Sequence, residues 1–459
     1  MARELPSRAG HDLRNMRILH GGHAGRGLTR RLFAAGLGGA IAGRGQARRP
    51  NIVLILTDDL GFADLGCYGS KSIRTPAIDG LARSGVRFTR AYANAPVCSP
   101  TRAALMTGRY PHRLGIEYVF RPATPGKGLL PSETTVARLL RDAGYRTALS
   151  GKWHLGAEDE FSPLKHGFEE FFGFRGSDHD YYSHRTLEGK PDLYENDRLV
   201  ERTGYSTDLF GAWAADYIRR QRKGGPPFFL YAAFNAPHWP FQPPGKPEDV
   251  RTPETWMAGT RGDYVRMVER LDENVGRLLG ALRESGLEEN ALVIFTNDNG
   301  GDRLSDNGGA FHHKFTVWEG GIRVPLLMRW PGVIERRGDC GQVAITMDLT
   351  ATALRAAGAA PRADRPLDGM DLTGAASGRD RDVERTIFWR HRNQMRAARR
   401  GDWKLVRDSG YDLLFDLARD PGERRDLAFE QPQKVEELRG LLEAWEKEMA
   451  ASNPAWRVV

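Results

Sequence analysis

The sequence predicts an α/β protein: a large mixed, mostly parallel sheet sandwiched by helices, followed by a small C-terminal α+β domain with an antiparallel sheet. Three observations carry this. Runs at 52–56, 228–234 and 292–295 are continuously apolar, with a weaker fourth at 145–149, as in strands buried on both faces of a sheet. Over 263–285, Tyr264, Met267, Val268, Leu271, Val275, Leu278, Leu279 and Leu282 recur at helical spacing, which gives an amphipathic helix for packing on that sheet. After residue 380 the texture changes to short strand-like pieces at 386–389, 395–399, 403–406 and 413–416 with tight turns between, then a helix over 433–449, the pattern of an antiparallel α+β unit.

With 459 residues there is room for one large domain, read as 48–375, and a smaller one, 376–459. The hydrophobic fraction of 40% is globular, and no apolar run is long enough to span a bilayer. Cys67, Cys98 and Cys340 are far apart and odd in number, so no disulfide framework is implied. The net charge of +8 is confined to the start. Residues 1–49 hold ten of the 67 Lys/Arg and two of the 59 Asp/Glu, leaving 57 of each in the body. A formally neutral body gives no reason to expect a nucleic-acid partner. Residues 1–47 read as a leader, because Thr29-Arg30-Arg31-Leu32-Phe33 precedes a Gly/Ala-rich run at 34–42 and then Gly45-Gln46-Ala47. This resembles a twin-arginine export signal cleaved near Ala42 or Ala47, and predicts a periplasmic or secreted protein.

Past the leader, the strand at 52–56 ends in Thr57-Asp58-Asp59, and Thr75-Pro76 opens a helix that stops near Gly85. The run at 145–149 leads into Gly151-Lys152-Trp153-His154-Leu155-Gly156. The run at 228–234 leads into Asn235-Ala236-Pro237-His238, and 292–295 into Thr296-Asn297-Asp298-Asn299-Gly300. Four strands thus deliver acids, a lysine or imidazoles at their C-terminal ends, the edge where open parallel sheets bind ligands. Between them, 158–210 is irregular and aromatic-rich and includes His179-Asp180-Tyr181-Tyr182-Ser183-His184.

The stretch from Pro96 to Arg109 stands out. Ser99 suits a helix N-cap, Pro100 the first helical position, and Ala103 to Met106 propagate the helix. Cys98 then sits at the mouth of a helix, with Arg102 able to turn back toward it. A thiol so placed would be an activated nucleophile, and the alternative is a buried cysteine capping a loop. Asp58, Asp59, Asp298 and Asn299 form a hard oxygen set suited to Ca²⁺ or Mg²⁺ rather than zinc. Without a cation, three clustered carboxylates would raise one another's pKa values.

These motifs, in order, are Asp58-Asp59, the Cys-x-Pro-x-Arg of Cys98 to Arg102, Gly151 to Gly156, Ala236-Pro237-His238, Asp298-Asn299, and Lys314 with Glu319-Gly320-Gly321-Ile322-Arg323-Val324-Pro325. His166 to Gly173, Leu414 to Leu417 and Asp420 to Glu423 add further landmarks. The whole resembles the type I formylglycine-dependent sulfatases, of the arylsulfatase A and glycosaminoglycan sulfatase kind, within the alkaline phosphatase-like superfamily. The resemblance implies a sulfuric ester hydrolase acting on an aryl or carbohydrate sulfate monoester. Cys98 would be oxidised to formylglycine by a formylglycine-generating enzyme. Asp58, Asp59, Asp298 and Asn299, with residue 98, would hold a divalent metal, Ca²⁺ by preference and Mg²⁺ as the alternative. Asp298 would take a proton from the hydrated aldehyde as it attacks sulfur. Arg102, Lys152 and Lys314 would spread the charge of the sulfuryl oxygens. His238, with Lys314, would protonate the leaving group, and His154 would take the second hydroxyl's proton to expel sulfate.

Arg109 and His112 are read as supports of the Cys98 loop, His312 and His313 as neighbours of Lys314, and Cys67 and Cys340 as structural. Tyr181, Tyr182, His184, Trp239 and Trp318 are candidates for a sugar-stacking wall or for ordinary packing. Two rivals stand beside the sulfatase reading: a phosphonate or phosphate ester hydrolase with the same site, and a non-catalytic binder of sulfated polysaccharide if Cys98 stays unconverted.

Overall fold

A computed structural model describes residues 49–120 and 126–452; the twin-arginine leader expected at 1–47 lies outside the described residues. In chain order the strands are β1 (Asn51–Thr57), β2 (Val86–Phe88), β3 (Ala91–Tyr92), β4 (Arg146–Lys152), β5 (Glu170–Phe174), β6 (Tyr194–Glu195), β7 (Arg198–Leu199) and β8 (Phe228–Ala233). They continue as β9 (Ala291–Asn297), β10 (Leu326–Arg329), β11 (Gly338–Cys340), β12 (Ala344–Ile345), β13 (Thr386–His391), β14 (Met395–Arg400), β15 (Trp403–Asp408) and β16 (Tyr411–Asp416). The helices are α1 (Pro76–Ser84), α2 (Cys98–Thr107), α3 (Val136–Asp142), α4 (Ser206–Arg219), α5 (Arg261–Glu284), α6 (Glu319–Ile322), α7 (Asp348–Ala357), α8 (Thr373–Ser377) and α9 (Pro432–Ser452).

Ten strands form the main sheet in the order β11-β2-β10-β9-β1-β8-β4-β5-β6-β7. Its centre is parallel: β1 pairs with β8 and β9, and β4 with β8 and β5, all in parallel. Antiparallel pairings with β10 and β6 make the sheet mixed toward its edges. β1 is apolar throughout because both its faces are covered. Ile52, Leu54 and Leu56 point into one core with α2, α3 and α7. Val53 and Ile55 point into the other, with α1, α4 and α5. Each such side chain, fully buried, contributes about 1.5–3 kcal/mol. The expected amphipathic helix is α5, opened by a capping box between Thr260 and Asp263.

Strands β13 to β16 form a separate four-stranded antiparallel sheet. Its apolar side and α9 share a third core with Tyr92, Ala104, Val317, Trp318 and Ile322. Both sheets belong to one compact unit. Among the described residues no helix is long and apolar enough to cross a membrane.

The capping expected of Ser99 is not what forms. Helix α2 begins two residues earlier, at Cys98, with Val97 as its extended N-cap and no side-chain cap. Ser99 Oγ instead accepts from the Phe120 backbone N–H at 3.1 Å, tying the segment at 118–120 to the Cys98 turn.

Candidate active site

Strands β9, β1, β8 and β4 are consecutive and parallel, so neighbouring C-terminal ends lie about 5 Å apart. That adjacency brings Asp298-Asn299, Asp58-Asp59, His238 and Lys152 with His154 to one place. The backbone there is shaped to do so. Asp59 and His154 have φ of 63° and 57°, a region non-glycine residues enter mainly where the surroundings impose it. Gly151, at φ 108°, lies so close to β8 that a Cβ would sit 2.0 Å from the Ala233 carbonyl oxygen. Only glycine fits directly before Lys152.

Every predicted catalytic and metal residue is buried. Asp58, Asp298, Asn299, Arg102 and Lys152 have no exposed surface, and Asp59, Cys98, His154, His238 and Lys314 have no more than 4%. Lys152 Nζ donates to Asp58 Oδ2 at 2.5 Å, and the Cys98 thiol faces Asp58 Oδ1 at 3.4 Å. Lys314 Nζ donates to Asp59 Oδ2 at 2.7 Å, and Asn299 Nδ2 to Asp59 Oδ1 at 2.7 Å. Arg102, one turn along α2 from Cys98, grips Asp298 Oδ2 through Nε at 3.0 Å and a terminal nitrogen at 2.9 Å. Its other terminal nitrogen donates to the Lys152 carbonyl at 3.1 Å.

The acids have been driven apart in affinity for protons. Burial pushes Asp59 up to about 8 against the pull of Lys314. Burial, with the Asp58 charge beside it, pushes Asp298 up to about 6. Burial also acts on Asp58, but Lys152, His238 and Arg102 together outweigh it and hold that carboxyl well below its ordinary value. Such a split is what crowded carboxylates do in the absence of a cation. The Cys98 thiol is pushed well up, by burial first and then by Asp298 and Asp58. The chain's own residues therefore do not activate a thiolate, and the thiol-nucleophile reading loses its electrostatic basis.

The residues fit a divalent cation. Asp58, Asp59, Cys98 and His238 each offer one donor atom, all within 4.8 Å of one another. Asp298 Oδ1 and Asn299 Oδ1 are buried and have no hydrogen-bond partner among the described residues, which is costly unless something positive meets them. Oxygen predominates in this set, as hard cations require.

The two histidines are set differently. His154 Nε2 lies 3.1 Å from the Phe120 carbonyl oxygen. A carbonyl only accepts, so Nε2 carries the hydrogen and Nδ1, buried and unpartnered, presents a lone pair. Burial, then Lys152 and Arg102, lower its affinity for a second proton. His238 Nδ1 donates to the Trp239 carbonyl at 2.6 Å, which leaves Nε2 facing Asp59 Oδ2 at 3.5 Å.

These groups open onto a cavity of about 390 Å³. Cys98, His154, His238 and Lys314 line it together with Tyr118, Phe120, Asp178, Glu188, Trp239 and Phe315. Of the five candidate wall residues only Trp239 is among them. The Tyr181 hydroxyl is buried and donates to the carbonyls of Asn235 and His238, so it braces the His238 turn. Tyr182 donates to the Pro243 carbonyl, His184 bonds the Gly204 carbonyl, and the Trp318 indole donates to Asp408. Arg109 and His112 do not support the Cys98 turn either. Arg109 faces Glu133, and His112 bonds the Arg390 carbonyl and packs on Trp445. His312 and His313 are exposed, and Cys67 and Cys340 are free thiols away from the cavity. Sequence reasoning missed Asp178 and Phe315, whose place in the lining depends on how the irregular 158–210 and 308–318 segments fold back.

A buried acid–base and cation-binding set at the C-terminal edge of a helix-flanked, mixed sheet defines a hydrolase of charged esters. The chain belongs to the sulfatase family, which it matches over residues 50–359, and is a sulfuric ester hydrolase. Residues 308–450 match the family described as N-sulphoglucosamine sulphohydrolase, C-terminal. The chain is 36% identical to N-acetylgalactosamine-6-sulfatase of Sus scrofa, over 89% of this chain and 86% of that one. It is 35% identical to arylsulfatase A of Homo sapiens, over 84% and 85%. The crystal structure of Ps i-CgsB superposes with a TM-score of 0.81 at 32% identity, covering 87% of this chain and 93% of that one. A second structure of that protein, in complex with k-i-k-neocarrahexaose, gives 0.80.

Proposed function

We propose that this sulfatase releases sulfate from a carbohydrate sulfate monoester, with residue 98 matured to formylglycine and a divalent cation, Ca²⁺ or Mg²⁺, at Asp58, Asp59, Asp298 and Asn299. One observation carries the reading: three carboxylates, Arg102, Lys152, Lys314 and two imidazoles are buried together around Cys98, and Cys98, His154, His238 and Lys314 of that cluster line one cavity. The acids and the three cationic side chains balance in formal charge. A bound divalent cation would leave a surplus of two positive charges for an anionic ester and would polarise its oxygens.

The chain's residues then divide the work. Arg102 orients Asp298 and leaves its Oδ1 free to accept a proton from the hydrated side chain at 98. Lys314, on the cavity lining, would meet the sulfuryl oxygens, and Lys152, buried on Asp58, would add its charge to that of Lys314. His238, held through Nδ1–H by the Trp239 carbonyl, would deliver a proton to the departing sugar oxygen through Nε2 in its doubly protonated form, taken up against the burial that lowers its proton affinity. His154 accepts at Nδ1 the proton whose loss restores the aldehyde. A carbohydrate is favoured over a simple aryl group because the N-acetylgalactosamine-6-sulfatase and the carrageenan-oligosaccharide complex among the relatives concern sugars. Export by the leader and maturation by a formylglycine-generating enzyme complete the proposal.

Mass spectrometry of the peptide containing residue 98 tests it first, with conversion lowering the mass by about 18 Da relative to cysteine. Sulfate release is then compared with phosphate release from paired esters. A chain that is unconverted, or that prefers the phosphate ester, contradicts the proposal.

A further inference from the structure

The cavity lined by Cys98, His154, His238 and Lys314 also carries two acids, Asp178 and, at an exposed loop position, Glu188. Neither belongs to the catalytic set. Asp178 is fixed in place: Oδ2 accepts from the Trp256 indole N–H at 2.7 Å, and Oδ1 accepts from the Ser177 hydroxyl. Each carboxylate oxygen keeps a lone pair beyond those bonds. Burial raises its affinity for a proton, while the Ser177 and Trp256 bonds and the charges of Lys152 and Lys314 lower it, so it lies within the field of both lysines. A carboxylate there weakens the hold on any anion. What it attracts is a hydrogen-bond donor.

The rest of the lining matches a sugar ring. Trp239 is half-buried beside His238, its ring centroid 4.3 Å from the imidazole, and its indole N–H has no partner among the described residues. Phe315 is held at φ 75° with its backbone N–H on the Pro96 carbonyl and its ring exposed to the cavity side of Lys314. An aromatic side chain kept in that backbone region is strain retained at a functional surface. Aromatic faces and a hydroxyl acceptor together suit a carbohydrate rather than a flat aryl group.

We infer that Asp178 is a specificity-determining residue: it accepts hydrogen bonds from the hydroxyls of an uncharged sugar that bears the scissile sulfate, and it rejects sugars with a second sulfate or a carboxylate at that position. The inference rests on the sulfatase reading above and goes beyond it in naming which carbohydrate sulfates enter.

The test uses converted enzyme and three kinds of substrate: monosulfated neutral hexoses and N-acetylhexosamines, their disulfated counterparts, and 4-nitrophenyl sulfate. Wild-type kcat/KM on the best monosulfated sugar exceeds that on its disulfated form by at least about tenfold, and Asp178→Asn narrows the gap. Asp178→Asn keeps an acceptor for Trp256, and its sugar-to-aryl ratio of kcat/KM falls by about 10–100-fold, the range for a lost charged hydrogen bond. Calorimetric binding of the same sugars to Cys98→Ala protein, which does not turn over, shows the same order of Kd values.

Equal cleavage of mono- and disulfated sugars by the wild type overturns the inference and leaves the sulfatase reading standing. So does an Asp178→Asn enzyme that loses sugar and aryl activity by one common factor, as a purely structural Asp178 would give. Absence of sulfate release from all three kinds overturns the sulfatase reading, and the inference with it.

Discussion

Lys404→Met probes how the small antiparallel sheet is joined to the catalytic one. Lys404 Nζ lies 2.9 Å from Glu319 Oε1 and 2.8 Å from Glu423 Oε1, and none of the three side chains is more than 1% exposed. Glu319 Oε2 accepts from the Tyr92 hydroxyl at 2.8 Å, and Glu423 Oε2 accepts from the Glu319 backbone N–H at 2.6 Å. The cluster thus links β3 and α6 to β15 and the turn after β16. Burial pushes Glu423 up to about 7 against the pull of Lys404. Burial acts on Glu319 too, but Lys404 and Arg399 outweigh it and hold it below its ordinary value. Methionine keeps an unbranched stem and removes the charge, leaving two carboxylates without their shared cation.

Breaking a buried pair in this way costs about 3–5 kcal/mol. Unfolding entropy of about 2.1 cal/mol/K per residue over roughly 400 described residues gives roughly 0.8 kcal/mol/K, so Tm falls by roughly 4–6 °C. The pH dependence has a definite sign. Without Lys404 both carboxyls titrate above their ordinary values in the folded state, which then binds more protons than the unfolded chain. Stability is therefore lost as pH rises from about 5 through 8. Scanning calorimetry at pH 5, 6.5 and 8 should show a deficit that widens with pH. A deficit under about 1 °C at pH 8, or one that shrinks with pH, would refute the reasoning.

Three further outcomes are expected. Chelation with EDTA abolishes sulfate release and lowers Tm, because the buried oxygens of Asp58, Asp59, Asp298 and Asn299 lose their counter-charge; Ca²⁺ or Mg²⁺ restores both, as activity assay and calorimetry would record. Arg102→Lys retains the charge but not the fork that donates to Asp298 Oδ2 through Nε, pairs a terminal nitrogen with the same oxygen and donates to the Lys152 carbonyl through the other, so kcat/KM falls by about 10²–10³-fold, measured by steady-state kinetics on the matured enzyme. Gly151→Ala places a methyl 2.0 Å from the Ala233 carbonyl oxygen at a φ of 108°, which forces β4 from β8. A loss of at least about 2 kcal/mol should appear in chemical denaturation.

Much of the site was legible because its chemistry is written in short local runs. Asp58-Asp59, Lys152 with His154, His238 and Asp298-Asn299 each directly follow an apolar run, and a strand fully buried on both faces has little choice but to be apolar. The Cys-x-Pro-x-Arg spacing likewise places Arg102 one helical turn from Cys98, where it meets Asp298. The helix start was legible only to within two residues. Ser99 has the chemistry of a cap, but the Phe120 backbone N–H claims its hydroxyl. Tyr181 and Trp239 looked alike as aromatics near His238, yet one braces the turn from within the core and the other faces the cavity.

What the amino-acid order determined alone was the four strands that carry the site, the four of the small sheet and the reactive groups at the ends of the first four, since burial and period-two geometry act on neighbours along the chain. Only the tertiary structure decided that β9, β1, β8 and β4 lie side by side, and so that Asp58, Asp59 and the distant His238 share one cation-sized space with Cys98. It also placed Asp178 in the lining and Glu319 with Lys404 and Glu423 in a buried cluster. Strand order and loop return depend on how whole helices cover the two sheet faces, and that balance of packing is not contained in any local stretch of residues.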